Sequence, residues 1–213
     1  MRSFFTFISI AASAISCGLF FSAVEGKPAG ANTSAGETAK EIIKNKSPDG
    51  RFALVIVYPE GESAEVQTGI IELSTHKVLL DLHGPGRPYV DDAKLVWSAD
   101  SQLVAFFEPN RRGGLTHVFF RNGTSFEEIE LPTLPEPKTP GKVPSNAYDK
   151  TVTAFQEPLR WSKSDALMIY SEVEGDYSAR GALEITVVFD QNHKPSVVKS
   201  KKISPRPLGP KNE

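Results

Sequence analysis

Cysteine is almost absent: Cys17 is the single one in 213 residues. Without a second thiol there is no intramolecular disulfide and no cysteine-based zinc site. Histidine is scarce as well. His76, His83, His117 and His193 include no i, i+2 or i, i+4 pair of the kind that chelates a metal, so each reads as a loop or strand-face imidazole. Motifs of common enzyme chemistry are missing too, since no G-x-S-x-G, H-E-x-x-H, P-loop or G-x-G-x-x-G occurs. Neither sign of charge is in excess. A formal net charge of -2 supplies no bulk attraction to nucleic acid, which is not expected as a partner. Hydrophobic residues at 39% and charged residues at 23% fit a soluble globular chain. The expectation is a protein with no cofactor, no metal and no catalytic residues that the sequence declares.

The one long apolar run lies at the N-terminus. Arg2 precedes Phe4–Phe21, and Val24-Glu25-Gly26 offers the small residues that a signal peptidase needs at −3 and −1. Residues 1–26 therefore read as a secretory signal, and the chain is expected to be secreted or periplasmic with no stable membrane span after processing. Two other readings stay open. The run of about 18 residues reaches the lower limit for spanning a bilayer, although Thr6, Ser9, Ser13 and Ser16 interrupt it. Ala14-Ile15-Ser16-Cys17 is loosely like a lipoprotein cleavage box. Residues 27–38, rich in Gly, Ala, Ser and Thr, cannot offset their ordering entropy by burial and read as a flexible linker. The sequons at Asn32 and Asn122 would matter only in a eukaryotic host.

Residues 39–203 carry a repeat. Ser47-Pro48-Asp49-Gly50-Arg51-Phe52, Ser98-Ala99-Asp100-Ser101-Gln102-Leu103 and Ser162-Lys163-Ser164-Asp165-Ala166-Leu167 superpose without gaps, their starts 51 and 64 residues apart. Each is a polar turn that leads into an apolar run. Ser and Asp bond back to nearby amides, Pro48 pre-sets its own φ, and Gly50 accepts a positive φ. Strands are expected at Phe52–Tyr58, Thr68–Leu73 and Lys77–Leu82 in the first unit. The second should hold Lys94–Trp97, Leu103–Glu108, Thr116–Arg121 and Ser125–Leu131, with bends at Gly113-Gly114 and Asn122-Gly123. The third should hold Leu159–Trp161, Leu167–Glu172, Leu183–Phe189 and Ser196–Lys201. Ala39–Lys46 is either the outer strand of the first unit or a short helix. Phe52 to Tyr58 contains no charged residue and is apolar on both faces, which demands cover on both sides.

Trp97-Ser98-Ala99-Asp100, Trp161-Ser162-Lys163-Ser164 and Ser47-Pro48-Asp49-Gly50-Arg51 resemble the blade start of TolB-type, WD-repeat-like β-propellers, roughly W-S-P-D-G-K before an apolar strand. The resemblance implies an all-β fold of three antiparallel, mostly four-stranded, propeller-like sheets. It implies nothing about activity. Closed propellers have four to eight blades, so three units should leave the array open or incomplete. A β-sandwich or barrel is the alternative. Between the second and third units, residues 132–147 form a proline-rich insertion, with five prolines from Pro132 to Pro144. Residues 204–213 read as a disordered tail.

Candidate residues for function are few. Arg87 and Tyr89, in the loop between the first two units, and Arg111 and Arg112, in a hairpin turn, combine charge with an amphipathic ring and are candidate partner contacts. Trp97 and Trp161 occupy matching repeat positions and read as blade-packing residues rather than stacking platforms. Glu172, Glu174 and Asp176 form an acidic cluster that lacks a complete calcium loop. Asp91, Asp92 and Asp176 are the carboxylates a hydrolase could use. The leading expectation is a non-catalytic exported binding or scaffolding module, with a protein or cell-envelope component as partner and a weak homodimer possible. A structural subunit joined through a blade face is the alternative, and a hydrolase comes after it.

Overall fold

A computed structural model describes residues 39–60, 65–82, 89–139, 151–175 and 179–207, apart from the side chains of 151 and 152. The signal, Cys17, the linker, Arg87, Asp176 and residues 140–147 of the proline-rich insertion lie outside them. The described chain is all-β, in a sheet of four strands and a sheet of eight, and neither closes on itself. That excludes the barrel alternative for these residues.

The first sheet is the antiparallel meander β1 (Lys40–Lys44), β2 (Phe52–Tyr58), β3 (Gln67–Glu72) and β4 (Lys77–Asp81). Its first member settles the strand-or-helix question for Ala39–Lys46 in favour of a strand. A short 3-10 helix, Tyr89–Asp92, leads into β5 (Lys94–Trp97), β6 (Leu103–Asn110), β7 (Gly113–Asn122) and β8 (Ser125–Ile129). The third unit follows as β9 (Thr151–Trp161), β10 (Leu167–Gly175), β11 (Arg180–Phe189) and β12 (Pro195–Ile203). Each unit is a four-stranded meander, but the sheets number two rather than the expected three. The second and third units fuse where β7 and β9 pair in parallel at Gly113–Ala154 and Gly114–Phe155. The cause is local. A Cβ on Gly113 would stand 1.8 Å from the Ala154 carbonyl oxygen, so only glycine lets the two backbones meet. The amide of Ala154 then donates to the Arg112 carbonyl at 2.8 Å.

The three turns share one mechanism. In the first, Ser47 Oγ donates to Asp49 Oδ1 at 2.6 Å and accepts the Phe52 amide at 2.9 Å, while Ser47 N donates to the Phe52 carbonyl. Ser98, Asp100 and Leu103 repeat these contacts in the second turn. The third departs from the gapless alignment, because Ser162 N donates to the Ala166 carbonyl and the turn closes one residue sooner. In every copy the residue three after the serine has positive φ: Gly50 at 70°, Ser101 at 61° and Asp165 at 54°. Ser and Asp tolerate that geometry less easily than glycine, and the flanking side-chain bonds hold it in place.

The turns feed the core. Phe52, Leu54 and Ile56 of β2 pack with Leu95, Val104 and Phe106 between the two sheets, where Trp97 stacks on Phe52 and Phe126 meets both rings edge-on. Ala53 and Val55 turn to the opposite face with Ile71, so β2 is apolar on both sides as its sequence demands. A second cluster joins the second and third units through Ala105, Val118, Leu167, Ile169 and Ile185. Leu134, inside the proline-rich insertion, is buried in that cluster and Leu131 packs against it, so the insertion begins as a packed crossing between units. Each fully buried aliphatic side chain contributes about 1.5–3 kcal/mol, which makes these seams the main support of the array.

Candidate functional site

The fusion of β7 with β9 opens a cleft beside it, with a volume of about 450 Å³. The 3-10 helix contributes Tyr89 and Asp92. From β6 and its turn come Phe107, Pro109, Asn110 and Arg111, and Thr153, Phe155 and Glu157 stand at alternate positions on β9. Alternation along a strand sends those three side chains to one face. Gly114 makes room for the Phe107 ring, which a Cβ would meet at 2.5 Å. Phe107 is buried, whereas Phe155 is 36% exposed.

Charge at the cleft is arranged asymmetrically. One carboxylate oxygen of Glu157 pairs with Lys94 and the other with Arg206. Glu157 is thus engaged on both sides and is no free general base. Arg111 has no ion-pair partner among the described residues. Tyr170 lies opposite Glu157 in the β9–β10 register. Its hydroxyl donates to Glu172 and accepts the Arg206 amide at 3.0 Å, while the Arg206 guanidinium sits 4.2 Å from the ring centroid. Burial, helped by the hydrogen bond to Glu172, raises the Tyr170 pKa above the usual tyrosine value; Arg206 pulls the other way without prevailing. Glu172, 4% exposed, is held by Arg180. It is therefore a buried ion-pair member and not an open calcium ligand. Among the described residues no cluster of three His, Cys, Asp or Glu groups could hold a metal.

The structure brings together two of the four expected contact residues, Tyr89 and Arg111. Arg112 is exposed on the same turn but does not line the cleft, its amide donating to Asn110 Oδ1 at 2.9 Å. Arg87 lies outside the described residues. Asp91 is occupied elsewhere, accepting from the Tyr58 hydroxyl and, through its carbonyl, from Lys44. Burial holds the Lys44 ammonium below the usual lysine pKa, outweighing the pull of Asp91 and Asp92. Both indoles sit at the seams between units: Trp97 Nε1 donates to the Asn45 carbonyl and Trp161 Nε1 to the Val96 carbonyl, each at 2.8 Å. His117 bridges Glu108 and Glu128 across three strands, and His193 stacks on Phe120. The residues that sequence reasoning missed are Phe155, Glu157, Tyr170 and Arg206. A Glu-Pro step late in a polar strand and an arginine set between two prolines were the only signals they gave.

No protein-family model matches the chain, and no curated protein matches it. Among the described residues no helix is long and apolar enough to cross a membrane.

Proposed function

We propose that the protein is an exported, non-catalytic binding module built from three propeller-like blades, which seats a polypeptide or cell-envelope component in the cleft between its second and third units. The observation that carries the reading is the cleft itself, where the Phe155 ring, 36% exposed, and the Arg111 guanidinium, without an ion-pair partner among the described residues, stand on strand and hairpin frames. Aromatic rings and arginine in a concave, partly apolar setting are the groups that dominate binding energy at interfaces. Export rests on Arg2 and the Phe4–Phe21 run. The propeller-like reading rests on the repeated indole bond: each tryptophan donates to the carbonyl two residues before the turn serine of the preceding unit. Lys46 stands at the tryptophan position of the first unit. A hydrolase finds less support, because both oxygens of Glu157 are already paired beside Asp92.

The test is affinity capture from the protein's own envelope or medium, with mass spectrometry of what is retained. Wild type should hold a component that both Arg111→Glu and Phe155→Asp lose. Identical retention by all three proteins would remove the cleft from the account.

A further inference from the structure

Glu157 serves two neighbourhoods. It lines the cleft, and it also receives the side chain of Arg206 from the segment Ser204-Pro205-Arg206-Pro207 that follows β12. The contacts around Arg206 have the form of a recognition site rather than of chain packing. Its guanidinium pairs with a carboxylate and lies over an aromatic face, and its backbone amide donates to the phenol oxygen of the same tyrosine. Glu157 addresses the charge, and Tyr170 addresses both the flat face of the guanidinium and the backbone direction. The frame is rigid. Tyr170 is fixed by Glu172, which Arg180 fixes in turn, and Lys94 holds the second oxygen of Glu157. The occupant is held much less firmly, with the Arg206 side chain 48% exposed and Pro205 and Pro207 keeping its backbone extended.

We infer that Glu157 and Tyr170 form a guanidinium-binding subsite at the cleft, filled here by the chain's own Arg206, and that the partner is a proline-flanked arginine segment of another polypeptide which displaces the tail. This rests on the cleft being the binding site and adds the chemistry of what enters it. Prolines on both sides favour the arginine because a preformed extended backbone has less entropy to lose on binding. The segment beyond the arginine then has Phe155, Phe107 and Pro109 as an apolar wall. The tethered Arg206 competes at an effective concentration near the millimolar range, which sets a threshold that only a longer or better-placed ligand crosses.

The probe is a synthetic peptide with the sequence of residues 203–208, Ile-Ser-Pro-Arg-Pro-Leu, capped at both ends and titrated calorimetrically against full-length chains. Arg206→Ala, which vacates the subsite at a half-exposed position, should bind it about 10-fold more tightly than wild type. Adding Glu157→Gln to that variant should lose the gain, and a peptide with glutamine in place of arginine should not bind Arg206→Ala. The peptide control keeps the test decisive if the double variant fails to fold. Equal affinity of wild type and Arg206→Ala, or of the arginine and glutamine peptides, overturns the inference. If the peptide fails while Phe155→Asp still loses the captured component, the subsite falls and the cleft stands.

Discussion

Trp161 and Asp49 show how single side chains hold one unit to the next. The Trp161 indole packs against Phe189, with ring centroids 5.5 Å apart, and its N–H reaches back to Val96 in the preceding unit. Trp161→Ala should cost about 3 kcal/mol, the low end of the range for a large aromatic, since the ring is only partly buried. Trp161→Phe keeps most of the packing and should lose about 1 kcal/mol with the hydrogen bond. Urea midpoints separate the two effects. Asp49 ties the first turn to the second unit through the Ser101 hydroxyl and Arg121. Burial alone would raise its pKa, but bonds from the Ser47 hydroxyl and the Arg51 amide, together with the Arg121 and Arg51 charges, bring it below the usual aspartate value. A lowered folded pKa stabilises the fold above the unfolded value of about 3.9, and that gain is lost as pH falls through the folded value. Asp49→Asn should therefore be less stable than wild type at neutral pH and converge with it in acid. A gap that stays constant with pH would show that the charge contributes nothing.

At the level of elements, the β7–β9 junction is the feature on which the site depends. Gly113 has a φ of 136° and no space for a Cβ against the Ala154 carbonyl. Gly113→Ala should break the parallel pairing and destabilise the chain by about 3 kcal/mol or more, through strain and lost backbone hydrogen bonds. Hydrogen exchange at the Ala154 amide, which donates to Arg112, reads this directly, and unchanged protection would contradict the role given to the junction. The sequence made β2 and β5 legible to the residue, because apolar runs bounded by Ser-Asp turns leave little freedom in their ends. It made the first half of β9 illegible. Thr153, Gln156, Glu157 and Pro158 look like loop residues, and they form a strand because β10 lies on one side and the Gly113-Gly114 opening on the other. The fusion of two units was hidden for the same reason, since glycines at a hairpin bend signal a turn and not a close approach. Tyr89 and Arg111 were legible as surface candidates. Arg206, placed in a tail without apolar period, could be linked to Glu157 and Tyr170 only through the fold.

Taken as a whole, the array has unlike ends. The far face of the first sheet is apolar and buried, formed by Ala53, Val55 and Ile71 with Ile43, Val57 and Leu73 packed against them. On the third unit, Leu167 and Ile169 face the second core, and the edge strand β12 carries the exposed Lys199, Lys201 and Lys202. Charged side chains along an edge strand discourage pairing with another copy. Assembly through the third sheet is therefore not expected. Light scattering across a concentration series should give the same mass for wild type and for Lys201→Glu on β12, and a mass that changes with this substitution would place an interface there.

A photo-crosslinking residue at position 155 tests most directly whether a partner sits in the cleft at the second and third units. Val78, 53% exposed on β4 of the first sheet, is the matched control position. Irradiation of the protein with the component retained in affinity capture should yield an adduct from position 155 and none from position 78. An adduct from position 78 alone, or equal yields from both, would contradict the account.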